Sequence, residues 1–112
     1  MQRRVGESVA YLGDRMSDVP VRVIPCITTG GDLPAGNQAS VWGSLLPAAW
    51  SYMLAARARG LGTAWTTEVA DILGLPPEIR QGALIPTAYF SGDGFRPAPL
   101  QPLDSVLHHE RW

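Results

Sequence analysis

Residues 55–67, AARARGLGTAWTT, read as one mechanical unit, and that unit limits the fold more than any other stretch. A helix carrying Arg57 and Arg59 in its last turn stops at Gly60, and the chain passes straight into an extended run. Cations suit the negative end of a helix, and glycine suits the left-handed turn that closes it. Gly62 leaves the backbone bare where the strand begins, so a flat ligand can approach it closely. Thr63, Thr66 and Thr67 add hydroxyls, and Trp65 adds a large planar surface.

The helix feeding this joint lies within residues 38–59. Leu46, Trp50, Met53 and Leu54 form its heavy stripe, while alanines keep much of the rest slim. Apolar residues nearly all round imply burial on more than one side, and in so small a chain that points to another subunit. Pro47 lacks an N–H and its ring crowds the preceding turn. Either the helix kinks there, or a short piece breaks off and the main helix begins near Pro47.

The remaining punctuation is clear in outline. Val5, Val9, Leu12 and Met16 recur at helical spacing, so residues 2–16 read as an amphipathic helix ended by Ser17, Asp18 and Pro20. Residues 21–28 read as a central strand, apolar on both faces, with Pro25 marking an edge position or a bulge. Residues 29–37 are a glycine-rich connector without phosphate-loop spacing. A second strand is expected over 63–67, then a short helix over 68–73 capped by Thr67, with one helical turn possible at 77–80. Residues 83–90 form a third strand, 91–102 an extended loop, and 103–112 an amphipathic tail. There are no internal repeats, and 112 residues suffice for a single domain of mixed α and β character.

Composition removes several function classes. Nine basic and ten acidic residues nearly cancel without forming blocks, which argues against a nucleic-acid groove or a membrane-surface stripe. No signal peptide or membrane-spanning stretch is visible, and the one cysteine, Cys26, reads as a small buried hydrophobe in a reduced, cytoplasmic protein. The adjacent His108 and His109 cannot make a metal site alone, and neither a nucleophile elbow nor a paired-carboxylate motif occurs. If the chain is catalytic, a cofactor carries the chemistry.

Three ordered blocks sharpen that inference. SVWGSLLPAAWSYMLAARARGLGTAWTT, then EVADILGLPPEIRQGALIPTAYF, then PLDSVLHHERW together resemble the nitroreductase family of FMN-dependent oxidoreductases, most closely its actinobacterial-type members. The resemblance implies a partial nitroreductase-like α+β fold, with helices packed on a small mixed sheet. It also implies a homodimer in which the long central helix packs on its counterpart. The chain then corresponds to the C-terminal part of a full-length member, without the usual N-terminal FMN-phosphate-binding part. By match to the motif, Ala64, Trp65, Thr66 and Thr67 fall at the cofactor, and Arg96 is the cation near its phosphate. The family reaction passes electrons from NAD(P)H through FMN to a small nitroaromatic or quinone-like acceptor. The alternative is a non-catalytic truncated homologue, a dimerisation or interaction module without flavin.

Overall fold

The computed structural model of the chain describes residues 2–67 and 73–110. An N-terminal helix α1 (Gln2–Arg15) runs into a 3-10 turn (Met16–Asp18) and then two short strands, β1 (Val21–Val23) and β2 (Cys26–Thr28). The long helix α2 (Ala39–Ala58) leads to β3 (Leu61–Thr63); β4 (Ile79–Gln81) and β5 (Ile85–Tyr89) follow, then a second 3-10 turn (Leu103–Ser105). The expected helix over 68–73 and its Thr67 cap fall largely on 68–72, outside the described residues.

The strands make two antiparallel sheets, β1-β5-β3 and β2-β4. The fold is thus α+β, but its strand pairs are all antiparallel among the described residues rather than mixed. The two sheets are one ribbon broken at a bulge. Val23 pairs with Ile85 and Cys26 pairs with Gln81, so Ile24 and Pro25 face Gly82, Ala83 and Leu84, one residue more. The Gly82 N–H bonds the Pro25 carbonyl across the gap at 2.9 Å. The bulge expected at Pro25 is present, but the single central strand over 21–28 is not. Proline cannot continue the ladder, so the segment splits, and β5 takes the central place with β1 at its edge.

Two further expectations are corrected here. Cys26 is exposed, because the two-stranded sheet has no second layer over that face of β2. Residues 77–80 do not form a helical turn; after a bend in which the Ile79 N–H bonds the Pro76 carbonyl, Ile79–Gln81 pairs with β2 as a strand.

β5 holds a proline in a central strand. Pro86 accepts a bond from the Ala64 N–H at 3.4 Å and has no N–H to return, so the β3–β5 ladder closes at Thr63. The second strand therefore starts earlier than expected, at Leu61, and beyond Thr63 only an isolated bridge joins Thr66 to Leu84.

α2 begins where Asn37 Oδ1 accepts the Ala39 N–H at 2.8 Å. It continues unbroken through Pro47, so its main body does not start there. It ends as the sequence requires: Gly60 sits at φ +79°, its N–H bonds the Arg57 carbonyl, and Arg59 Nη1 bonds the Ala55 carbonyl. One side of α2 builds the core. Ala49, Ala83 and Ile85 are buried together, with Val23, Tyr52 and Met53 packed around them. Tyr52 Oη and Thr87 Oγ1 share a hydrogen bond of 2.7 Å across this layer. Gly82 is needed for the close approach, because a Cβ there would lie 2.6 Å from Leu45 Cδ2.

The opposite side of α2 is bare. Trp50 and Leu54, one turn apart, are 56% and 54% exposed. The whole chain exposes 9061 Å², against about 6,000 Å² for a compact monomer of this mass. Its radius of gyration is 16.9 Å, where about 13 Å is usual. Much apolar surface in this chain lacks a cover. Among the described residues, no helix is long and apolar enough to cross a membrane.

Candidate functional site

Beyond β3 the chain leaves its ladder and runs as Ala64, Trp65 and Thr66 along the wall of a 1050 Å³ cavity. The facing wall is α1, which presents Val5, Val9 and Leu12, the stripe expected from its periodicity, with Arg4 and Ser8 beside them. The third wall is the segment 96–99, beginning with Arg96. Four of the five residues marked in the sequence, Ala64, Trp65, Thr66 and Arg96, therefore meet at one cavity. The fifth, Thr67, is exposed and does not line it.

The Thr66 hydroxyl donates to the Leu84 carbonyl at 2.7 Å, so its proton is already committed within the fold. It retains lone pairs that can accept, but it cannot also donate to a ligand carbonyl. Trp65 is 38% exposed. Its ring is free to offer a face to a planar molecule.

Among the described residues, charge at this cavity is unbalanced. Elsewhere Arg3 pairs with Glu7, Arg15 with Asp18 and Arg80 with Asp32, while Arg22 and Arg59 bond backbone carbonyls and Arg57 lies over aromatic rings. Among the described arginines, only Arg4 and Arg96 lack a protein partner, and both line the same cavity. Sequence reasoning missed Arg4. The signal was present, because Arg4 adjoins Val5 and Ser8 on the helical face that Val5, Val9 and Leu12 define.

A second space of 470 Å³ adjoins the first at Leu12 and Ala64. It lies between the C-terminal half of α1 and the sheet, with Tyr11, Gly62, Ala88, Phe90 and Phe95 among its walls. At Gly62 itself, two rings of this chain stand over the bare Cα. A Cβ on it would sit 3.1 Å from Phe90 Cδ1 and 3.5 Å from Phe95 Cζ, so this chain's own rings occupy that approach. Phe90 and Phe95 stack at 4.6 Å between centroids, tilted by 36°. The Arg57 guanidinium lies 5.3 Å from one ring centroid and 5.0 Å from the other. At an exposed site each such contact contributes about 0.5–1 kcal/mol.

No group of three metal-ligating side chains occurs among the described residues. The arrangement instead offers an apolar, partly aromatic slot with two guanidinium groups in its walls. Such a slot suits a flat molecule with an anionic end. Set against known proteins, the chain matches no family model and no curated protein.

Proposed function

We propose that this chain is an FMN-dependent oxidoreductase of nitroreductase type, working as a homodimer with NAD(P)H as donor. The observation that carries this reading is the convergence of the two unpartnered arginines, Arg4 and Arg96, on the cavity walled by Ala64, Trp65 and Thr66. The residues fit the cofactor in kind: guanidinium groups for its phosphate, the Val5–Val9–Leu12 stripe and Trp65 for its ring system. When bound, FMN supplies the electron transfer between NAD(P)H and a nitroaromatic or quinone-like acceptor. The protein's part is then to bind, orient and exclude water. Thr67 takes no part in this reading.

The homodimer rests on the uncovered face of α2 and on surface about 3,000 Å² in excess of a compact monomer. Obligate dimers bury about 2,000–5,000 Å² summed over both partners, so covering part of each chain's excess would suffice. The same surface favours the second reading, a dimerisation module without flavin.

Visible absorption after incubation with FMN and desalting separates the two. Retention near one flavin per chain, bleached by NAD(P)H, is the expected outcome; a colourless protein selects the module. Arg4→Ala and Arg96→Ala should each weaken FMN by about 10-fold while changing riboflavin affinity little, since a charge-assisted pair contributes about 1.5–3 kcal/mol when well formed. Equal effects on both flavins would remove the arginines from the phosphate.

A further inference from the structure

The segment that brings Arg96 to the cavity is held in an unusual way. Between Phe90 and Pro102 the chain leaves the sheet, every residue from 91 to 102 is exposed, and no hydrogen bond holds residues 91–101 among the described residues. What fixes its start is a single cluster. Phe90 ends the β5 side, Phe95 folds back to stack on it, and Arg57 from the last turn of α2 covers both rings. The intervening loop turns at Gly92 and Gly94, with φ of +108° and +131°, which side-chain-bearing residues rarely adopt. Gly94 is constrained twice, because a Cβ there would come within 3.2 Å of Arg57 Nη2. The bare Cα of Gly62 makes room for both rings from beneath.

Arg57 is not serving as the helix cap, since Arg59 bonds the Ala55 carbonyl of the final turn. Its planar guanidinium is instead spent on the two rings, a contact that an ammonium reproduces poorly. The residue immediately after Phe95 is Arg96.

We propose that Arg57 is a positioning residue for anion binding: it closes the Phe90–Phe95 loop and thereby holds Arg96 in the cavity wall. This rests on the reading of that cavity as the FMN site. No group of Arg57 touches the ligand; it acts through Phe95 and the backbone that follows.

The test uses the full chain and the variants Arg57→Ala and Arg57→Lys, with circular dichroism confirming that each folds. Chymotryptic cleavage at the Phe95–Arg96 bond reports the closure without any ligand. Arg57→Ala should speed that cleavage about 5-fold, and Arg57→Lys should fall between it and the wild type. Unchanged cleavage overturns the closure. In parallel, Arg57→Ala should weaken FMN about 5-fold and riboflavin less than about 2-fold, because only FMN has a phosphate for Arg96 to meet. Faster cleavage with equal losses for both flavins overturns the delivery of Arg96 and leaves Arg57 a loop fastener. If the wild type retains neither flavin, the flavin reading falls and the delivery of Arg96 falls with it. The cleavage rates then still decide whether Arg57 closes the loop.

Discussion

The two faces of the β1-β5-β3 sheet are built from alternate residues of one strand, yet they differ in almost every physical respect. On the α2 face, Ile85 is fully buried and Thr87 meets Tyr52 in a hydrogen bond. Helix and strand come close enough there that Gly82 admits no Cβ. On the other face Ala88 and Gly62 form part of a wall with 470 Å³ of open space before α1 is reached. Among the described elements, α1 packs substantially only against the 3-10 turn that follows it. The closed face holds the fold, and the open face carries the cavities. Sites of binding are drawn from the less stable parts of a structure because they have to admit a ligand.

The sharpest way to break this comparison is Ile85→Ala. It should cost about 2–5 kcal/mol. In so small a core that leaves little stability, and urea denaturation should show the midpoint collapse. A mild shift would mean that the α2 face is not the main support. Next in size is Gly82→Ala, which forces Leu45 to move and should cost about 1–3 kcal/mol in the same measurement. Gly6→Ala on α1 is the opposite case, because nothing lies within 4 Å of the new methyl. It should favour the helix by about 0.5–1 kcal/mol. If α1 opens independently, amide exchange slows within α1 while the global midpoint stays put; a matching rise in the midpoint would couple the two faces more tightly than the contacts suggest.

What the sequence made legible follows the same division. α1 was visible because Val5, Val9, Leu12 and Met16 keep a clean period, and the end of α2 because Arg59 and Gly60 are strong local signals. The bulge at Pro25 was legible for the same reason, since proline forbids a specific hydrogen bond. The burial of Cys26 was misjudged because an apolar run tells nothing about which face has a second layer. β4 was missed because Ile79–Gln81 has no strand pattern of its own and takes its conformation from pairing with β2. The resemblance marks Ala64, Trp65, Thr66 and Arg96, and the structure brings these four to one cavity. The capture of Gly62 by Phe90 and Phe95 could not be read, because that contact joins residues far apart along the chain.

The positive charge of this chain comes wholly from arginine, with no lysine in the sequence. Arg4 and Arg96 therefore line the cavity with guanidinium groups, whose planar fork of donors suits a phosphate. A phosphate monoester brings its own pH dependence, since its second ionisation lies near pH 6. FMN should therefore bind more tightly as pH rises through that value, while riboflavin stays level; calorimetric titrations at pH 5 and pH 7.5 would reveal the divergence. The same chemistry makes the site indifferent to reagents that acylate amines, an immunity written into its choice of cation.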